Sequence, residues 1–139
     1  MGCNVDIIDI INDFEAKQAT IAFTISSLKE LFQHESELWQ KLQSLDINII
    51  TNDQVMNFLA DSLQMVNNLE QLHSFDLKDI QRIYQLLVKF HPDNIQYQLD
   101  HILFVDNILG DEKEVLNLTK TAIKLLDEKR REFEALLNS

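Results

Sequence analysis

The sequence predicts an all-α protein, and three observations carry that prediction. Residues 5–45 run without glycine or proline and bear an apolar stripe at heptad spacing. Only two glycines, Gly2 and Gly110, and one proline, Pro92, occur in 139 residues. That is too few for the frequent turns of a strand-rich fold. Residues that favour helix starts stand at the heads of the apolar segments that follow. The expected architecture is a single domain over residues 1–139: a long helix at about 5–45, then two helical hairpins at about 52–91 and 94–137, forming a helical bundle or short α-solenoid.

In the first stretch, alternating steps of four and three land on Ile7, Ile11, Phe14, Gln18, Ile21, Ile25, Leu28, Phe32, Glu35, Trp39 and Leu42, of which only Gln18 and Glu35 are polar. Ile8, Ile10, Ala22, Leu31, Leu38 and Leu45 flank the stripe, widening it beyond a two-stranded seam. A continuous helix here would be about 60 Å long at ~1.5 Å per residue, longer than any other segment could cover. The stripe reads either as the core face of a bundle helix or as a self-association seam. For the second reading the interface candidates are Ile11, Phe14, Ile21, Ile25, Leu28, Phe32 and Trp39. Trp39 doubles as a core residue or, if exposed, as an interface anchor. A break near His34-Glu35-Ser36 would divide the rod into two helices, although no glycine or proline marks one.

The remaining elements follow from capping and periodicity. Asp46–Ile50 reads as a short apolar connector, and Thr51 with Gln54 as a capping box that opens a helix. Val55, Phe58, Leu59, Leu63, Val66, Leu69 and Leu72 would form its buried stripe, with an end near His73. Asp76 is the expected N-cap of the next helix, which would turn Leu77, Ile80, Ile83, Tyr84, Leu87 and Phe90 inward and end before Pro92. Asp93 with Gln96 reads as a second capping box, opening a helix with Ile95, Leu99, Ile102, Val105 and Leu109 inside. Its run Ile102-Leu103-Phe104-Val105 is apolar on all sides, which suggests the most buried helix, with a short strand as the alternative. Gly110 suits a left-handed C-cap. Asp111 with Glu114 opens the last helix, 112–137, with Val115, Leu118, Ala122, Leu125, Leu126, Phe133 and Leu136 inside.

Phe90-His91-Pro92-Asp93-Asn94 and Gly110-Asp111 are the residues by which segment 55–126 resembles tetratricopeptide (TPR) helical hairpins. Counted from Gly110, Leu99 and Ile102 fall on large apolar positions of that repeat, Val115 and Ala122 on its small-residue positions, and Leu125 on the apolar position after them. Tyr84 falls on the aromatic position of the preceding repeat. Leu103, Asp106 and Thr119 depart from the pattern, and the spacing from Pro92 to Gly110 is one residue longer than the repeat's. The resemblance implies stacked helical hairpins and a concave groove that holds a segment of another protein.

Composition excludes much chemistry. Two glycines can build neither a phosphate-cradling loop nor a dinucleotide fingerprint, and no nucleophile elbow is present. One cysteine, Cys3, allows no intrachain disulfide, as expected of a cytoplasmic protein. The formal charge of −11 opposes nucleic-acid binding, and no apolar run is long enough to span a bilayer. Met1-Gly2-Cys3 resembles an acylation signal, but Asp6 stands where that signal has Ser or Thr. Glu70-x-x-His73, with Glu30, His34 and Glu37 on the rod, is the only metal-like spacing, and di-iron bundles need two such motifs. It reads as a solvated face, so no metal or cofactor is expected. His91 and His101 read as satisfied core or boundary histidines. The charges of Lys129-Arg130-Arg131 are cancelled by neighbouring carboxylates, with Asp127 one turn from Arg131.

These readings lead to a non-enzymatic protein–protein interaction module, adaptor or chaperone-like, that self-associates along the first helix, a dimer being favoured. The alternative is an acidic inhibitor, immunity protein or nucleic-acid mimic that occupies a basic cleft of its target.

Overall fold

The computed structural model describes residues 5–32, 34–65 and 76–138, and these are helical throughout apart from turns and caps. The α-helices are α1 (Ile7–Leu31), α2 (Glu35–Ser44), α3 (Ile47–Ile50), α4 (Asp53–Leu63), α5 (Leu77–Phe90), α6 (Ile95–Phe104) and α7 (Glu112–Leu137), with a π-helical turn at Val105–Leu109 between the last two. No strand occurs among the described residues. The all-α class is therefore as the sequence predicts. The chain divides into two compact units, Met1–Leu59 and Ala60–Ser139, and α4 runs across the division.

In the first unit the long helix is real but shorter than the uninterrupted stripe suggested. It starts where the Asp6 carboxylate accepts from the Ile8 N–H, and it ends at Leu31, so the 5–45 stretch is two helices. His34 takes a non-helical conformation (φ −125°, ψ 77°), and its N–H closes a turn on the Leu31 carbonyl at 2.8 Å. The break thus falls where the sequence offered its alternative. Tertiary contacts supply what local sequence does not mark. The Phe32 ring meets Phe58 edge-on at 5.5 Å, the Lys29 ammonium lies over the Phe58 ring at 5.9 Å from its centroid, and α2 packs on α1. Leu38 and Leu42 become the buried residues of α2, leaving Trp39 half-buried.

Asp46–Ile50 is a helical turn rather than a plain connector: Asp46 accepts from the Asn48 N–H, and the Thr51 hydroxyl donates to the Ile47 carbonyl at 2.5 Å. Thr51 is therefore committed to the preceding turn. The cap of α4 falls instead to Asn52, whose side-chain oxygen accepts from the Gln54 and Val55 N–H groups at 2.9 and 3.3 Å. Val55 and Leu59 are buried on its inner face. The described part of α4 ends at Leu63, followed by a turn at Gln64-Met65. Val66, Leu69, Leu72, Glu70 and His73 lie outside the described residues, as do Met1–Asn4.

In the second unit α5 starts at Asp76 in a full capping box with Asp79 and ends before Pro92, as expected. It packs on α6, which packs on α7. Ile80, Tyr84 and Leu87 are buried, while Leu77 and Phe90 at the helix ends stay exposed. The start of α6 shifts by one residue from the expected box. Asn94 accepts from the Tyr97 N–H at 3.0 Å, while the Gln96 amide nitrogen donates to Asp100 instead. The inner face of α6 also differs from the expected one. Tyr97, Gln98, His101, Phe104 and Val105 are buried, and Leu99 and Leu103 are exposed. Aromatic side chains bury more area than leucine and take the interior, and Gln98 joins them because its amide donates to the Pro92 carbonyl at 2.7 Å.

The π-helical turn closes with the Gly110 N–H on the Val105 carbonyl at 2.8 Å, five residues back. Gly110 sits at φ 65°, the left-handed conformation predicted for it, and Asp111 caps α7 by accepting from the Glu114 N–H. Along α7 only Ala122 is buried among the described residues, and Leu126, Phe133 and Leu136 are exposed rather than inward. The ion pairs of its C-terminal half include Lys129 with Glu132 and Arg130 with Asp127 and Glu134, so Arg130 takes the partner expected of Arg131.

Candidate functional site

Two places stand out, one in each unit. The first is the N-terminal half of α1. Ile7, Ile8, Ile10, Ile11 and Phe14 are all more than half exposed, and Phe14 reaches 62%. Their spacing puts Ile7, Ile11 and Phe14 on one face and Ile10 beside it. Asp6, Asp9, Asp13 and Glu15 surround them, and the Lys17 ammonium is held by Asp13 at 3.0 Å. Helices of this composition ordinarily turn such a face inward. Here it faces solvent.

The seven interface candidates divide at this point. Ile11 and Phe14 are exposed, Ile21 and Leu28 are buried, and Ile25, Phe32 and Trp39 are half-buried, with Phe32 engaged by Phe58. The second half of the stripe is core and the first half is surface. Thr24 shares the buried face, its hydroxyl satisfied by the Thr20 carbonyl at 2.8 Å.

The second place lies in the other unit and was not anticipated from sequence. The buried Tyr84 hydroxyl donates to the Asp61 carboxylate at 2.5 Å and accepts from the Gln64 amide at 2.9 Å. Burial pushes the Asp61 carboxyl up to about 6; the Tyr84 hydrogen bond opposes that rise and the Asp100 carboxylate adds to it. Burial likewise raises the Tyr84 phenol, with Asp61 reinforcing the shift. The Tyr84 ring stacks on the His101 imidazole at 6.0 Å and 16°, and meets the Phe104 ring at 5.2 Å with a tilt of 39°. Asp61 and Gln64 were legible only as polar residues three apart near the end of an apolar helix, a pattern that α4 shares with any solvated face.

His101 was expected to be a satisfied core histidine. It is buried, and burial lowers its pKa, but its Nε2 has no hydrogen-bond partner among the described residues. It also forms part of the wall of a half-open cleft of about 370 Å³ between α5, α6 and α7. His91, in contrast, is exposed and meets the Tyr97 ring edge-on at 5.8 Å. No group of three or more His, Cys, Asp or Glu side chains able to hold a metal ion occurs among the described residues, and no described helix is long and apolar enough to cross a membrane.

No family model matches the chain, and searches of curated proteins and of solved structures find no match.

Proposed function

We propose that this chain is a non-enzymatic interaction module that pairs with a second copy of itself through the exposed first half of α1. The observation that carries the reading is the solvent-facing cluster of Ile7, Ile8, Ile10, Ile11 and Phe14. Apolar patches of this kind on soluble chains mark contact surfaces. The heptad spacing favours a helix as the partner, and the same spacing on another copy supplies one. An antiparallel pairing brings Lys17 of one copy toward Asp6 and Asp9 of the other, whereas a parallel pairing sets carboxylates against carboxylates. The resemblance of residues 55–126 to tetratricopeptide hairpins extends the proposal to an adaptor or chaperone-like role, with the second unit engaging a client segment.

Sedimentation equilibrium of the intact chain tests the pairing. Concentration-dependent dimerisation that persists in high salt is the expected result. A strict monomer at all concentrations rules the pairing out. A complex formed only with a basic target, and dissolved by salt, points instead to the acidic-inhibitor reading that the −11 charge allows.

A further inference from the structure

In the second unit, polar side chains from three consecutive helices meet at one point. Asp61 and Gln64 come from the end of α4 and the turn after it, Tyr84 from α5 and Asp100 from α6, all within Ala60–Ser139. The Tyr84 hydroxyl gives its only hydrogen to Asp61, at 2.5 Å, and accepts one from the Gln64 amide at 2.9 Å. Asp100 accepts from the Gln96 amide at 2.8 Å and is also hydrogen-bonded to the Asp61 carboxyl. That last contact sets a chemical condition. Ionised carboxylates are acceptors only, so two of them bond each other only when one proton lies between them. Without that proton the two half-buried negative charges repel.

We propose that Asp61 and Asp100 share one proton, forming a latch that holds the end of α4 to α6 in acid and releases it as the solution turns neutral. Burial pushes the Asp61 carboxyl up to about 6; the Tyr84 hydrogen bond opposes that rise and Asp100 adds to it. The folded chain thus keeps a proton that the unfolded chain gives up, so the latch contributes at low pH and is lost as pH rises through about 6. His101 on α6, the other titratable group here, stacks on the Tyr84 ring and acts in the opposite sense. Burial lowers its pKa, so its protonation weakens the fold as pH falls. Ala60 and Leu63, close to Asp61 on α4, are buried, and their amides report how firmly this end of the helix is held. The latch stands apart from the pairing through α1, because none of its members lies on that helix.

The test is a pH titration of the full chain by NMR, following the side-chain carboxyl carbons of Asp61 and Asp100 and the amide exchange of Ala60 and Leu63. The expected result is one joint transition of both carbons near pH 6, as a coupled pair gives. Exchange at Ala60 and Leu63, corrected for its intrinsic pH dependence, should be about threefold slower at about pH 5 than at about pH 7.5. Two variants should move the Asp61 transition in opposite directions. Asp100→Asn removes the neighbouring negative charge and should lower the proton affinity of Asp61 about tenfold. Tyr84→Phe keeps the ring against His101 and Phe104 but removes the donor that favours ionised Asp61, and should raise that affinity by about as much. Asp61→Asn, whose amide can donate to Asp100 at every pH, should abolish the slowing of exchange in acid. Separate transitions of the two carbons in the natural chain overturn the proposal, as does an Asp61 midpoint unchanged in Asp100→Asn. So does exchange that fails to slow in acid in the natural chain, or that slows equally in Asp61→Asn.

Discussion

Helices α1 and α5 begin with the same kind of pattern and end in opposite situations. Both start behind an aspartate cap and carry an apolar stripe at helical spacing. In α5 the stripe is used, with Ile80 and Tyr84 fully buried and Leu87 nearly so. In α1 the first half is left in solvent, with Ile11 51% and Phe14 62% exposed. Periodicity therefore identifies a face but not its occupant. A stripe becomes core only when the chain returns to cover it, and nothing in the stripe itself records whether that happens.

The contrast can be broken first through the core. Replacing Phe104, which is 1% exposed and packs on Tyr84, with Ala should destabilise the fold by about 3–5 kcal/mol in urea unfolding. Phe14→Ala, removing the same ring from α1, should change monomer stability by no more than about 0.5 kcal/mol. Similar losses from the two substitutions would mean that α1 is covered in solution. The association contrast comes next. Ile11→Asp or Phe14→Asp should weaken self-association by about 2 kcal/mol or more, roughly thirtyfold in Kd by sedimentation, while the helical circular dichroism of the monomer stays unchanged. The matching substitution on an already exposed residue of α7, Phe133→Asp, should leave the association as it is.

Smaller effects sharpen the comparison within the second unit. Gly110→Ala places a side chain at φ 65° with no clash within 4 Å, so its cost is purely conformational, about 1 kcal/mol in urea unfolding, and Gly110→Asn should recover part of it. The smallest effect concerns pH. The Asp61 carboxyl lies above its ordinary value in the folded state, so the folded chain binds a proton that the unfolded chain releases between about pH 4 and 6. Stability from this group is present at low pH and lost as pH rises through 6. Relative to Asp61→Asn, the natural chain should gain thermal stability on going from pH 7.5 to 5, by less than about 1 kcal/mol because the carboxyl is partly solvated. A parallel pH response of the two proteins would place the titration elsewhere.

The helix caps show how far local sequence carries. Asp6, Asp76 and Asp111 cap the helices they precede, and Gly110 adopts the left-handed turn, because these preferences depend on a few consecutive backbone groups. Two expected capping boxes slipped by one residue. Asn52 and Asn94 displace Thr51 and Asp93, in the first case because the Thr51 hydroxyl is already committed to the Ile47 carbonyl. A π turn takes up one residue more than an α turn, and Val105–Leu109 forms one directly before the glycine.

The candidate sites were legible only in part. The apolar stripe of α1 announced itself through spacing, although not the point at which it passes from surface to core. The Tyr84–Asp61–Gln64 cluster gave no signal, since Tyr84 lies 20 and 23 residues along the chain from Gln64 and Asp61 and only packing brings them together. By itself the sequence determined the all-α class, the positions of most helix starts and ends, and the absence of the glycine-dependent phosphate loops, all consequences of short-range backbone and side-chain preferences. Tertiary structure alone decided that the first stretch breaks at His34, that α6 turns its aromatic rather than its leucine face inward, and that His101 is buried with no hydrogen-bond partner for its Nε2 among the described residues. Those outcomes depend on which distant surfaces compete for burial, a competition settled by the area and hydrogen bonds each face can offer.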